Sequence, residues 1–393
     1  MDERQKHDLT GISKNTVLLA FASLFADISS EMLYPILPVF LTQTLGATGS
    51  VVGLIEGMAE ATQNVMQGLS GWLSDKLQQR KKLALIGYFV AALGKPVMGM
   101  ARSWPGVLGG RFMDRAGAGF RSAPRDALIA SSVAEEYRGQ AFGLEGIGDN
   151  LGAFLGPLLA VLLIFFLHFE VRWIFYLAVI PGLLAFCMIL LVKEGKAQVE
   201  AKSKIDIHSG KFPRAYWKYL FVISVFSVGN SSNSFLILQT KSIGASFELT
   251  ILIYACFNLV AALISYPAGA VSDRSGRRNV LLAGFVIFFI AYLGFARTKN
   301  VMAVAFLFIF YGLFQGIFRA VGKAFASDFV PDRQRAGALG WYSMTIGLLQ
   351  LLASVVAGLL WDRVGHQAVF YYGCFSAAAG SVALLTLPVK REV

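Results

Sequence analysis

The sequence predicts an all-α integral membrane protein of twelve transmembrane helices, arranged as two pseudo-symmetric six-helix bundles. Three observations carry this prediction. The 393 residues are 56% hydrophobic and only 15% charged, against about 25% charged in ordinary soluble domains. Apolar stretches long enough to cross a bilayer, about 20 residues at 1.5 Å rise each, follow one another along the whole chain. The second half also repeats landmarks of the first at a near-constant offset.

In order, the apolar stretches are 16–43, 49–74, 83–101, 103–123, 138–167, 171–192, 217–240, 248–272, 279–296, 301–325, 336–361 and 367–388. Short connections make consecutive helices antiparallel neighbours. A soluble all-helical domain holds a few such helices, not twelve in succession.

The net charge of +11 invites a nucleic-acid reading, and its distribution argues against one. With the amino terminus inside, roughly 26 of the 35 Lys and Arg residues fall on the inner side. About six lie in outer loops, and Lys95, Arg111 and Arg115 lie within spans. This bias places both termini in the cytoplasm and the chain as a multi-pass protein of the cell (inner) membrane. Residues 1–15 are polar and lead into a long span containing acids, which does not suit a cleaved signal peptide. Cys187, Cys256 and Cys374 fall in predicted helices without pairing or metal spacing and are expected as small core residues. His7, His168, His208 and His366 lie near ends or in loops, so neither a metal site nor a cofactor is expected.

The internal repeat is legible in GWLSDKLQQRKK (71–82) and GAVSDRSGRRNV (269–280), 198 residues apart. At the same offset Gly46 pairs with Gly244, Arg121 with Arg319 and Arg125 with Lys323, and RGQAFG (138–143) pairs with RAGALG (335–340) at 197. The domains follow: an amino-terminal bundle over 1–192, a cytoplasmic linker over 193–216 and a carboxy-terminal bundle over 217–393. Two parallel repeats of this kind rock about a site between them, opening it to each side in turn.

These residues resemble the major facilitator superfamily over essentially the whole chain. The loop signature after helices 2 and 8 is matched by Gly269, Asp273, Arg274, Gly276, Arg277 and Arg278. In the first half it is matched by Gly71, Asp75, Lys76 and Arg80, with Gln78 and Gln79 departing from it. The resemblance implies a gating role for these positions, Asp75 acting on a neighbouring helix end. Arg111, in GRFMDRAGAGFRSAPRDALIA (110–130), resembles the family's helix-4 arginine. On helix 5, Gly143, Gly152 and Gly156-Pro157 resemble the spacing associated with antiporters and drug exporters, although Ala160 and Val161 replace its final glycine pair. Close helix packing by small residues is the competing reading. The opening DISSEMLYPILP resembles a poorly characterised bacterial group.

Ionisable residues within spans are functional candidates by default. The first half places seven acids there: Asp27, Glu31, Glu56, Glu60, Asp114, Glu145 and Asp149. Only Lys95, Arg111 and Arg115 oppose them. Asp27 and Glu31 are i,i+4 on helix 1 and share a face; Glu56 with Glu60 and Glu145 with Asp149 repeat the spacing. Buried carboxyls in excess of bases are more readily protonated, and one that titrates near neutral pH carries a proton across. The proton-coupling candidates are Asp27, Glu31, Glu60 and Asp149. The competing reading is ion pairs that tie helices together, and Glu56 and Glu60 could instead line an outer vestibule.

In the family, helices 1, 4, 7 and 10 line the cavity. Substrate-binding candidates are therefore Tyr34, Arg111, Asp114, Arg115, Asn230, Asn233 and Gln315. The polar run Asn230-Ser231-Ser232-Asn233-Ser234 suits a locally unwound helix 7 offering uncharged ligands, or interhelical hydrogen bonds.

The leading expectation is a monomeric secondary active transporter working by alternating access, a proton-coupled exporter (antiporter) of a small organic compound. Its partners would be substrate, protons and the bilayer. The alternatives are a proton-coupled uptake symporter for a small anionic solute, or a cation or metal exporter. A receptor is a further class, which a flux assay separates. With no span-centred His, H-E-x-x-H or phosphate-binding loop, an enzyme is not expected.

Overall fold

The computed structural model describes residues 13–77, 79–134, 137–194, 212–331 and 334–387, and every regular element among them is helical. The first, α1 (Lys14–Glu31), is capped by Ser13, whose Oγ accepts from the Thr16 amide at 3.1 Å. Pro35 and Pro38 each lack a backbone donor and disfavour a continuous helix, so the chain turns over 32–36. It resumes as α2 (Leu37–Val39) and a wide π-type turn, Phe40–Thr44. Then come α3 (Gly49–Leu77), α4 (Arg80–Met100), α5 (Trp104–Ser131), α6 (Arg138–Val161), α7 (Val171–Leu177) and α8 (Val179–Leu191). The second half holds α9 (Arg214–Ser227), α10 (Ser234–Ser242), α11 (Phe247–Ser275), α12 (Arg277–Arg297), α13 (Val301–Asp328), α14 (Arg335–Arg363) and α15 (His366–Leu385). With α1–α2, α7–α8 and α9–α10 each forming one interrupted span, the described helices make twelve.

Eight of the spans are long and apolar enough to cross a membrane by composition. The remaining four are interrupted (α1–α2, α9–α10), carry Glu56, Glu60, Gln63 and Asn64 (α3), or carry the charges of α5. Most of the buried polar side chains lie in these four, with Lys95 on α4 and Glu145 on α6 among the others.

The duplication is visible in the backbone. Helices α3 and α11 each have 29 residues, α4 and α12 have 21, and α5 and α13 have 28. Both halves interrupt their first span. Gly46 at φ +65° and Gly244 at φ +94° turn the chain before the second, a left-handed conformation that glycine adopts without strain. Trp104 and Val301, which open α5 and α13, lie 197 positions apart. That register corrects the 198-residue pairing of Arg121 with Arg319. Buried Arg121 corresponds to buried Phe318, whereas Arg319 is exposed.

The chain forms two compact units: Met1–Phe40 with Thr62–Lys202, and Leu41–Ala61 with Ser203–Val393. In the first, α4 packs on α5, and α1 packs on α6 and α8; in the second, α11 packs on α13, and α12 packs on α13 and α15. Asp362 caps the start of α3 within the second unit, accepting from the Gly49 and Ser50 amides at 2.8 Å each. Of the expected linker, 195–211 lies outside the described residues. Cys374 is buried as expected, but Cys187 and Cys256 are exposed on their helices. On a lipid-facing surface a thiol behaves as a small hydrophobe, so the sequence pattern does not separate the two placements.

Candidate functional site

The charges of the first unit assemble on two seams. Along the α4–α5 seam, Gly87, Gly94, Gly110 and Gly117 bring the two backbones into contact. A Cβ at Gly94 would stand 2.6 Å from the Asp114 amide nitrogen, and one at Gly117 would stand 2.4 Å from that of Ala91. This approach, which only small residues permit, closes Lys95 Nζ onto Asp114 Oδ1 at 2.8 Å, with both side chains at most 2% exposed. Lys95 also donates to the Ala91 carbonyl at 3.2 Å. The second Asp114 oxygen lies 3.4 Å from Arg111 Nη1 and 3.3 Å from Arg115 Nε. Arg111 sits over the Tyr34 ring at 5.6 Å, and Arg115 Nη1 donates to Gln63 Oε1 at 3.1 Å. Four of the predicted residues, Tyr34, Arg111, Asp114 and Arg115, are thus brought together. Among Lys95, Arg111, Asp114 and Arg115, one carboxylate lies within ion-pair distance of three cations.

The second seam joins α1, α5 and α6. Gly152 and Gly156 seat α6 on the α1 backbone: a Cβ at Gly152 would meet the Leu24 carbonyl oxygen and Asp27 Cβ at 2.7 Å. Gly143 has nothing within 4 Å, so the exporter-like glycine spacing is used here, at two of its positions, for helix contact. Arg121 stacks over the Tyr88 ring at 4.4 Å and stands 3.9 Å from Asp27. Arg125 Nη1 reaches Glu145 at 2.8 Å, Asp149 at 3.7 Å and Ser23 Oγ at 2.9 Å. Its Nη2 holds Asp126 at 2.9 Å, and Ser23 donates to Glu145 at 3.1 Å. Asp27, Glu145 and Asp149 therefore converge around Arg121 and Arg125. Asp27 and Asp149 keep about a third of their side chains exposed (30% and 37%) while Glu145 keeps 10%: two carboxylates with access to a medium beside one that is shielded. Glu31 is half-buried on the same helix as Asp27. Glu60, half-buried, and Glu56, buried, belong to the Leu41–Ala61 segment of the second unit.

In the second unit, the helix is interrupted between Ser227 and Ser234, where the Asn/Ser run suggests unwinding. Asn233 Oδ1 accepts from the Tyr311 hydroxyl at 2.7 Å, and the Ser232 amide donates to Ser354 Oγ at 3.1 Å. Asn230 is buried and Gln315 half-buried. Of the loop signature, Gly276 at φ +87° joins α11 to α12. Arg277 bridges Asp273 at 3.4 Å and Asp328 at 2.9 Å, and Arg278 donates to the Leu385 carbonyl. Gly269 and Arg274 lie on α11, the latter exposed. In the first unit a Cβ at Gly71 would stand 3.4 Å from that of Ala123, and Arg80 donates to the Ala127 carbonyl at 3.4 Å; the Asp75 side chain lies outside what the structure describes.

Hydropathy does not show Arg121 and Arg125 as membrane charges: Arg121 stands at the inner end of the 103–123 stretch and Arg125 two residues beyond it. The helix continues to Ser131 through Pro124. The i,i+4 spacing of Arg111 with Arg115, repeated by Arg121 with Arg125, was the signal of one continuous charged face. With these two added, the seven acids face five bases rather than three.

With this geometry in place, known proteins can be compared. The family model described as Major Facilitator Superfamily matches residues 19–238 and 219–393. An uncharacterized MFS-type transporter of Methanocaldococcus jannaschii is 33% identical over 380 residues, 95% of each chain. A probable 4-methylmuconolactone transporter of Cupriavidus pinatubonensis is 26% identical, over 97% of this chain and 91% of its own. Among solved structures, a D-xylose–proton symporter superposes with a TM-score of 0.76 at 15% identity, over 96% of this chain and 98% of that one; at that identity the likeness concerns the fold.

Proposed function

The chain belongs to the Major Facilitator Superfamily of transporters, and on that premise we propose that it moves a small organic compound by alternating access, coupled to protons. The observation that carries the coupling is the convergence of Asp27, Glu145 and Asp149 on Arg121 and Arg125. An arginine remains charged throughout, so when a carboxyl takes a proton its arginine turns to another partner. The three carboxyls share two arginines, so protonating one tightens the pairs of the others. The exporter-like spacing on α6 favours export, with protons entering as substrate leaves. The gating role of Asp75, Arg80 and the 269–278 loop, the cytoplasmic position of both termini and the inner-membrane location belong to the same proposal.

The test is proton movement in proteoliposomes. Purified protein is reconstituted with a pH-sensitive dye inside, and a panel of neutral, cationic and anionic compounds is added from either side. Active compounds should move protons against their own gradient. The Glu145→Gln/Asp149→Asn protein should retain exchange of labelled for unlabelled compound while losing gradient-driven accumulation. Full accumulation by that double variant would defeat the proposal.

A second reading, symport of a small anionic solute, is favoured by the three cations around Asp114. The 4-methylmuconolactone named for one relative is an organic compound with which to begin. Opposite dye responses for the two directions, acidification against alkalinisation on the side of uptake, separate symport from export.

A further inference from the structure

We infer that the second unit binds a small organic anion, a carboxylate on a flat or aromatic body, in an open cavity at the end of the unit remote from the 269–278 loop. The cavity has a volume of about 930 Å³, within the range of pockets that take small organic molecules. It is bounded by the end of α10 and the turn at Gly244, by Thr298 and Lys299 after α12, and by the turn into α15. No residue of the two charged seams lines it.

The two halves close this corner differently. Helices α7 and α15 begin at 171 and 366, so Arg172 corresponds to Gln367. Arg172 Nη1 donates to the Gly99 and Ala101 carbonyls at 2.6 and 2.8 Å, and the guanidinium lies over the Phe40 ring at 5.4 Å. That side chain seals the end of α4. In the second unit the end of α12 is capped from α10 instead, Gln239 Nε2 donating to the Phe295 carbonyl at 3.3 Å. Gln367 is shorter than arginine and is exposed beside the cavity, so the corner stays open.

Charge sets the class of occupant. Lys299 is in the lining and no carboxylate is. Lys241, Arg297 and Arg363 each adjoin a lining residue, namely Ser242, Thr298 and Val364. Among the described residues at this end the acids are Glu248 and Asp362, and each serves a helix start. Asp362 accepts from the Gly49 and Ser50 amides, and Glu248 lies in the first turn of α11. Four cations therefore gather on the face that the charge bias assigns to the outside, where Lys and Arg are otherwise scarce. The Lys299 ammonium, the Gln367 amide and the Tyr371 hydroxyl are donors on exposed side chains, and none has a hydrogen-bond partner among the described residues. All three suit a carboxylate. The remaining walls are apolar or flat: Ile243, Val364, Ala368 and the His366 ring, which stacks on Trp361 at 3.9 Å. A bare inorganic anion would leave those walls uncovered, and an organic cation would meet Lys299 with no carboxylate to hold it. The inference stands whether or not the chain couples to protons, since it uses none of the coupling residues.

The test uses the full-length protein in detergent and three probes of one shape: benzoate, benzamide and benzylamine. In equilibrium dialysis benzoate should bind saturably, more tightly than the neutral and cationic probes, and less tightly as salt is raised. Lys299→Gln should weaken benzoate roughly tenfold, and Ala368→Trp, which fills the cavity, should abolish its binding. The Glu145→Gln/Asp149→Asn protein should bind benzoate as the unaltered chain does, which separates failure of this site from failure of the coupling. Photolabelling with azidobenzoate should mark peptides containing 239–244, 298–299 or 364–371. Equal binding of the three probes, no saturable benzoate binding, or affinity unchanged by Lys299→Gln would overturn the assignment. Should a variant fail to fold, photolabelling of the unaltered chain still decides, and label confined to other peptides would sink the site.

Discussion

Helices α4–α5 and α12–α13 are equivalent pairs of equal length, 197 positions apart, and their buried seams hold opposite chemistry. Lys95 and Asp114 form an ion pair at 2.8 Å, whereas their counterparts Tyr292 and Tyr311 place their rings 5.9 Å apart. Arg111 corresponds to Phe308. Arg121 over Tyr88 corresponds to Phe318 beside Phe285. Burial is matched pair by pair, each of these residues being at most 8% exposed. Even the spacers differ: Gly110 and Gly117 become Leu307 and Phe314. One seam is held by backbone contact with charges inside it, the other by stacked rings filling a wider gap. The same helix frame therefore accepts either solution. The first suits a unit that must hold and exchange charge. The second suits a partner whose buried groups on this seam are aromatic, with a cluster of buried polar residues at the helix break, 228–233.

Breaking the charged seam should have the largest effect. Asp114→Asn leaves Lys95, Arg111 and Arg115 without their carboxylate and should cost about 3–5 kcal/mol, read as a lower unfolding midpoint of the purified protein; a change under 1 kcal/mol would show that the seam does not depend on this ion pair. Removing both ends of the pair sharpens the comparison. Lys95→Met with Asp114→Leu should be more stable than the sum of the single variants predicts, by about 2 kcal/mol or more in a double-mutant cycle. Next in size is the glycine contact on α6. Gly152→Ala forces a Cβ into the Leu24 carbonyl and should cost about 1–3 kcal/mol, while Gly143→Ala, facing open space, should be neutral or slightly stabilising. The smallest effect belongs to the aromatic seam: Tyr311→Phe keeps the stack, loses one hydrogen bond to Asn233 and should cost about 1 kcal/mol.

Much of this was legible in the sequence, for reasons that can be named. Twelve spans and their duplication follow from apolar length and repeated landmarks, which survive without knowledge of neighbours. The interruption at 228–233 was legible because five consecutive polar residues have few partners inside a bilayer. The pairing of Lys95 with Asp114 was not: it depends on the rotational phase of two helices, set by glycines whose role emerges only when the helices touch. Arg121, at the end of the fourth apolar stretch, and Arg125, just beyond it, read as cytoplasmic by charge alone, although they meet Asp27 and Glu145 inside the bundle. The asymmetry between halves was visible, but its meaning was not, since nothing in the sequence says that an ion pair and a tyrosine pair occupy the same place.

Backbone contact along α4 and α5 also sets a clock. An amide on that seam exchanges its hydrogen only when the two helices part, and parting them exposes Lys95 and Asp114 to lipid. Solvent exchange should therefore be slowest at Gly94, Gly110 and Gly117 and faster at Leu307 and Phe314, where side chains can shift before the backbones separate.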